Sequence, residues 1–167
     1  LRSVGYETEN VANLDNLDPE KALRGTSVSL IEGIADYFIK NGYKVGGFNA
    51  FTESKVATGS GLSSSAAYEV LVGTMLNYLY NDGKVDAITI AKIAQYAENV
   101  YFGKPCGLMD QMACSVGGLI HIDFKDTENP VIEKVDVDFS KYNHSLCIVD
   151  TKGSHQDLTD DYAAVPK

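Results

Sequence analysis

The chain has 167 residues, 44% of them hydrophobic and 22% charged, a composition that fits a folded domain and excludes a disordered tail or a fibrous repeat. Its 23 acidic and 14 basic residues give a net charge of −9, so a broad positive field for nucleic acid or an anionic membrane is excluded. At roughly 150 residues per domain we expect residues 1–167 to form a single domain. No apolar run approaches the ~20 residues that span a bilayer, and we expect a cytoplasmic protein.

The three cysteines are Cys106, Cys114 and Cys147. They cannot all pair with one another, and no two of them have the CxxC spacing. We therefore expect reduced thiols that behave as small buried hydrophobic side chains, as is usual in the cytosol.

The first half of the chain predicts a loop, a helix and a strand. Residues 1–24 contain few apolar anchors and indicate a loop or a weak strand. Apolar residues then recur at helical spacing between Thr26 and Gly42, with Ser27 available as the cap and Gly42 as the stop. The segment 44–52 surrounds two glycines with apolar side chains and predicts a strand.

The second half predicts three helices followed by three strands. The first helix follows a Gly/Ser loop and runs to Tyr80, and the second is capped by Asp86 and runs to about Asn99. The third begins near Gly107 and stops at Gly117. Alternating patterns at 119–124, 131–137 and 146–150 predict strands. This order favours an α+β fold with a mixed sheet layered with helices.

The Gly/Ser loop at Thr58–Ala67 is the most unusual stretch of the sequence. A glycine-rich loop that opens a helix binds phosphate well, because the N–H groups of the first turn are unpaired and the helix dipole favours an anion. Gly59 and Gly61 permit close approach, and Ser63, Ser64 and Ser65 supply hydroxyl groups. The alternatives are a flexible connection and an ordinary helix cap. The loop lacks the P-loop, dinucleotide and serine-hydrolase patterns.

Two acidic residues differ from the solvated majority. Glu98 follows an apolar run at a helix end, and Asp110 lies between apolar neighbours in the first turn of a predicted helix. A buried carboxylate needs a partner such as a metal ion or a substrate hydroxyl. For Asp110, simple stabilisation of the helix dipole is the alternative.

Three motifs in this order resemble the galactokinases of the GHMP small-molecule kinase superfamily: residues 59–67 (GSGLSSSAA), 97–99 (AEN) and 106–111 (CGLMDQ). The resemblance extends over residues 27–150. It implies a mixed sheet packed with helices, similar to domain 2 of ribosomal protein S5. It also implies transfer of the γ-phosphoryl group of ATP to the C1 hydroxyl of galactose.

The resemblance implies a role for each matching residue. The nucleotide phosphates would be wrapped by Gly59, Ser60, Gly61, Leu62, Ser63, Ser64 and Ser65. Ser65 and Glu98 would ligate Mg²⁺, Asp110 would lie next to the sugar as the base, and Gly107 would contact the sugar. These roles agree with the needs of phosphoryl transfer, namely positioned phosphates, a divalent ion and a proton acceptor.

The sequence also departs from the family pattern. In the family, an N-terminal segment grips the sugar and supplies a catalytic arginine, and a C-terminal domain follows. Neither of them has a match in this chain. We therefore expect the chain to be a fragment of an N-terminal domain that is inactive alone. A sugar or nucleotide sensor without catalysis, and a GHMP kinase for another small alcohol, are the alternatives. The oligomeric state is left open.

Overall fold

The computed structural model describes residues 1–56 and 61–149, which form helices and short strands, as an α+β fold requires. The helices are α1 (Ser27–Lys40), α2 (Ser64–Tyr80), α3 (Ala87–Tyr96), which continues as a π-helical segment (Ala97–Phe102), and α4 (Met109–Val116). The strands are β1 (Arg2–Ser3), β2 (Phe51–Thr52), β3 (Ile120–Asp123) and β4 (Val131–Lys134), and a short 3₁₀ turn follows at Phe139–Tyr142.

The helices confirm the sequence pattern with one change of cap. The side chain of Thr26, rather than that of Ser27, caps α1 by accepting a hydrogen bond from the Ser29 N–H at 3.2 Å. Ser27 is already the first helical residue. The side chain of Asp86 caps α3 as predicted, accepting from the Thr89 N–H at 2.9 Å.

The helix predicted to run from the Asp86 cap to about Asn99 is longer than expected, because α3 continues as the π-helical segment to Phe102. The sequence contains no glycine or proline between Ala97 and Phe102, so the chain continues in π-helical form past Asn99. It ends at Gly103, which adopts the left-handed conformation (φ 84°) that favours glycine. The carbonyl of Glu98 accepts from the N–H groups of both Gly103 and Lys104, at 3.0 and 3.1 Å.

The predicted strand at 44–52 is reduced to β2, which pairs in parallel with β1. The backbone before it is satisfied by side chains from the end of α2. The Asn81 side chain bonds both the N–H and the carbonyl of Lys44, each at 2.9 Å, and the Tyr80 hydroxyl donates to the Gly47 carbonyl at 2.6 Å. Three backbone groups of this segment are thus satisfied without a neighbouring strand.

The expected mixed sheet is replaced, within the described ranges, by two separate pairs of strands. Strands β3 and β4 form an antiparallel hairpin in which Ile122 faces Ile132. The third strand predicted for this region, 146–150, is not formed by its described residues 146–149. Leu146, Ile148 and Val149 are exposed there, so no packing fixes an extended ladder.

Two hydrophobic clusters flank α3. The larger one joins α1, α2 and α3 around Ile34, Phe38 and Ile93. The smaller one joins Ala91 on α3 to Leu108 and Met112 at α4, with the β3–β4 hairpin packed over it. Because α3 contributes to both clusters, it fixes α2, α4 and the hairpin relative to one another. None of the helices in the described ranges has the length and apolar character to cross a bilayer.

The cysteines are free thiols, as the sequence predicts. Cys106 and Cys114 are half-buried, which fits small hydrophobic side chains. Cys147 is exposed, so the expectation of burial was wrong there. Residues 141–149 are all exposed, so no described part of the chain covers this thiol.

The contact between α1 and the π-helical segment gives a first prediction. A Cβ on Gly33 would lie 2.9 Å from both Cα and Cβ of Ala97, closer than packed atoms approach. Gly33→Ala should therefore lower the free energy of unfolding by about 1–3 kcal/mol, the usual cost of overpacking. Urea unfolding measures this change.

Gly73 in α2 provides the matched control. A Cβ there would meet its nearest atom, Cγ2 of Ile90, at an ordinary 3.4 Å. Gly73→Ala should be neutral or should stabilise the protein by up to about 1 kcal/mol through helix propensity. Equal effects of the two substitutions would show that the close approach at Ala97 does not constrain the fold.

Candidate active site

The Gly/Ser loop, which we call the serine-rich bend (residues 59–65), contains two described residues with left-handed backbone just before α2. Gly61 has φ 78°, and Ser63, the residue before the helix, has φ 57°. Left-handed backbone costs a non-glycine residue about 1 kcal/mol or more. Gly59 and Ser60 lie outside the described residues. The bend therefore changes chain direction sharply just before the helix begins.

The start of α2 presents donors without partners in the described part of the chain. The Ser63 side chain makes no capping hydrogen bond, so the ordinary-cap alternative is not what the geometry shows. The first N–H of this turn with a backbone partner is that of Ala67, which donates to the Ser63 carbonyl at 3.0 Å. Ser64 and Ser65 are half-buried beside it, and Leu62 is exposed. Such a turn offers N–H and O–H groups to an anion.

Glu98 projects from the π-helical segment into the interior and is 3% exposed. Its Oε2 atom accepts from Nε2 of Gln111 at 2.8 Å. Its Oε1 atom lies 3.5 Å from the ammonium group of Lys104. The two oxygens thus have different partners, a neutral amide and a cation.

Glu69 is a second buried carboxyl group, on α2, and is 0% exposed. Its Oε2 atom accepts from the same Nε2 of Gln111 at 3.2 Å, whereas its Oε1 atom has no described partner. Burial, and then repulsion from Glu98, raises the pKa of Glu69 to about 9. This shift favours the protonated form of Glu69 at neutral pH.

Through these contacts Gln111 connects the elements that carry the predicted site residues. Glu69 lies four residues after Ser65, so the two share one face of α2, one turn apart. Gln111 joins that face to Glu98. Gln111 also directly follows Asp110 in the first turn of α4.

Asp110 is exposed rather than buried between its apolar neighbours. The expectation of a costly burial was wrong because the helix turns Asp110 outward and its neighbour Gln111 inward. Burial and then the negative charge of Asp110 raise the pKa of Cys114, which lies one turn further along α4. Stabilisation of the helix dipole remains the alternative role of Asp110, because a carboxylate in the first turn of α4 fits that role as well.

Gly107 lies in the loop between the π-helical segment and α4. Side chains hold this loop at Cys106: the Asn99 side chain accepts from its N–H at 2.7 Å, and the amide of Gln95 donates to its carbonyl at 3.2 Å. Gly107 itself is exposed, and a Cβ there would meet no atom within 4 Å. There is room beside it for a ligand.

The chemistry of Ser65 and Glu98 fits Mg²⁺. The ion prefers oxygen ligands and commonly combines one or two carboxylates with substrate phosphates. No group of three or more His, Cys, Asp and Glu side chains within residues 1–56 and 61–149 is arranged to hold a metal ion, so phosphate oxygens would have to complete the ligand set. The Lys104 ammonium beside Oε1 of Glu98 shows that this oxygen accommodates a cation.

The sequence analysis missed Glu69 and Lys104 and gave no role to Gln111. A signal for Glu69 was present, since this acid lies on the buried face of α2 together with Ala66 and Val70. The Lys104 contact had no such signal. It depends on how the chain turns after the π-helical segment.

The protonation of Glu69 gives a prediction for stability against pH. Because the pKa of Glu69 is higher in the folded than in the unfolded state, the folded protein holds an extra proton between about pH 4.5 and 9. Its contribution to stability is then full below this range and falls as pH rises, by up to about 1.4 kcal/mol per pH unit. Glu69→Gln removes this dependence, so the variant should gain stability relative to wild type between pH 5 and pH 8.

Chemical unfolding at several pH values tests this, with Glu53→Gln as the control because Glu53 is exposed. The control should follow the wild-type profile. If Glu69→Gln follows it as well, Glu69 is ionised in the folded protein.

Curated proteins similar to this chain include several galactokinases. The chain is 44% identical over 86 residues to the galactokinase of Clostridium tetani, an alignment that covers 52% of this chain and 22% of the relative. It is 37% identical over 128 residues to the galactokinase of Pyrococcus furiosus, covering 77% of this chain and 35% of the relative. The chain thus spans about a third or less of the length of these curated relatives.

The family model described as the GHMP kinases N terminal domain matches residues 29–118, more than half of the chain. The matched range begins in α1 and ends just after α4. It therefore contains the serine-rich bend, Glu98 and Asp110. The chain belongs to the GHMP kinase family.

Proposed function

We propose that this chain is the nucleotide-binding part of a galactokinase, which transfers the γ-phosphoryl group of ATP to the C1 hydroxyl of galactose. The names of the relatives support the acceptor, and the family supports a kinase. The observation that carries the proposal is the contact of Gln111 with both Glu69 and Glu98, because it links the three elements that bear Ser65, Glu98 and Asp110. Residues 1–167 would form one domain, with a fold similar to domain 2 of ribosomal protein S5.

The serine-rich bend would hold the phosphates of ATP. Residues 59–65 supply N–H and O–H donors, and the N-terminal end of α2 favours negative charge at that point. The chain has a net charge of −9, so this attraction has to be local. The donors at the start of α2, which lack described partners, meet that need without a lysine in the loop.

Ser65 and Glu98 would hold Mg²⁺ against the phosphates. When bound, the ion spreads the charge that develops on the transferred phosphoryl group. Glu98 would offer Oε1, the oxygen that now faces Lys104, while Gln111 keeps hold of Oε2. Lys104 is partly exposed and has a flexible stem, so it can move aside.

Asp110 would accept the proton of the C1 hydroxyl as the phosphorus–oxygen bond forms. Its exposure suits contact with a bound sugar, and it directly precedes Gln111, which bonds the proposed metal ligand Glu98. Gly107, in the preceding loop, leaves open space where the sugar would lie. Proton transfer by such a group typically contributes a factor of about 10² to 10⁴ to the rate.

The first test measures phosphoryl transfer in a chain that joins this sequence to the segments flanking it in the relatives. ADP formation should depend on galactose and Mg²⁺, and Asp110→Asn should reduce kcat by a factor of about 10² to 10⁴. Asp123→Asn is the control, since Asp123 lies in the β3–β4 hairpin. Binding of ATP and sugar without turnover would instead favour the sensor, and turnover with a different alcohol would replace galactose as the acceptor.

Gly107→Ala gives a second prediction for the same flanked chain. Because a Cβ at this position meets no atom within 4 Å, the melting temperature should not change. A methyl group in the proposed sugar site should raise KM for galactose about tenfold, and KM for ATP should stay constant. An unchanged KM for galactose would show that Gly107 does not contact the sugar.

A further inference from the structure

Gln111 occupies a position that the proposed reaction does not explain by itself. It is 1% exposed, and its Nε2 atom donates to carboxyl oxygens from two different elements, Glu69 on α2 and Glu98 on the π-helical segment. The same nitrogen also lies 3.5 Å from Sγ of Cys106, so its two hydrogens are shared among three acceptors, and these contacts fix the orientation of the amide.

The buried polar cluster formed by Glu69, Glu98 and Gln111 also lowers the stability of the fold. Oε1 of Glu69 and Oε1 of Gln111 are buried and lack partners in the described part of the chain. An unsatisfied buried polar atom typically costs about 1–3 kcal/mol. Apolar residues at these positions would avoid that cost, so stability alone does not account for the arrangement.

The contacts divide the oxygens of Glu98 between two directions. Gln111 holds Oε2 at 2.8 Å, and this leaves Oε1 directed toward Lys104, whose side chain is 38% exposed. A carboxylate held at one oxygen presents the other in a defined direction.

We infer that Gln111 is a positioning residue, which, anchored by Glu69, orients the carboxylate of Glu98 toward the magnesium ion of a bound nucleotide. This inference rests on the proposed function, because it assumes that Glu98 is a metal ligand. It adds the two side chains that decide how this ligand is presented. Loss of such a supporting contact typically weakens metal binding by a factor of about 10 to 100.

The test compares nucleotide affinity with and without the metal. The dissociation constant of the non-hydrolysable ATP analogue AMP-PNP is measured by calorimetry on this chain, once with Mg²⁺ and once with EDTA. For wild type, Mg²⁺ should tighten binding. For Gln111→Met, which keeps the size of the side chain but removes both donors, this gain should fall at least tenfold while the affinity in EDTA changes less than twofold.

Two further variants keep the result decisive. Gln95→Met is the matched control, because the Gln95 amide donates to the Cys106 carbonyl and bonds neither carboxyl group. It should keep the wild-type gain. Glu69→Met removes the anchor of Gln111 together with a costly buried carboxyl group, so it should fold even if Gln111→Met does not. It should lose part of the gain.

The outcomes separate the two proposals. If Gln111→Met binds AMP-PNP as wild type does, or weakens it equally with Mg²⁺ and with EDTA, Gln111 is a structural residue and the inference is overturned. If wild type itself shows no gain from Mg²⁺, the proposed function of this site fails instead.

Discussion

The buried amide of Gln111 is the interaction on which the arrangement of the site depends. It lies between the carboxyl groups of Glu69 and Glu98, at 3.2 and 2.8 Å, and so ties α4 to α2 and to the π-helical segment. Two carboxylates so close together in the interior repel each other, and burial, and then this repulsion, raises the pKa of Glu69 to about 9. The ammonium group of Lys104 lies 3.5 Å from Oε1 of Glu98.

The surrounding packing keeps these elements in place. Gly33 lets α1 approach the π-helical segment at Ala97, which holds the turn that carries Glu98. On the other side of α3, Leu108 and Met112 pack against Ala91 and fix the start of α4. The polar cluster therefore depends on apolar contacts on two sides of α3. Its geometry follows from helix packing, and its charge follows from burial.

Much of the local structure could be predicted from the sequence, because it depends on residues close together in the chain. Apolar spacing and breakers located all four α-helices, and the acid cap of α3 followed from Asp86 alone. The strands were less predictable. Segment 44–52 has strand composition, yet Asn81 and Tyr80 satisfy its backbone from a distant helix end. Such contacts leave no local pattern.

The family, the serine-rich bend ahead of α2 and the choice of Glu98 and Asp110 as unusual acids could all be predicted from the sequence. The exposure of Asp110, the burial of Glu69 with its raised pKa, and the contact of Gln111 with both carboxyl groups depend on the tertiary structure. The physical reason is that protonation and hydrogen bonding in the interior depend on which groups meet after helices pack. Glu69, Glu98 and Gln111 come from three separate elements, and only packing brings them within hydrogen-bond distance.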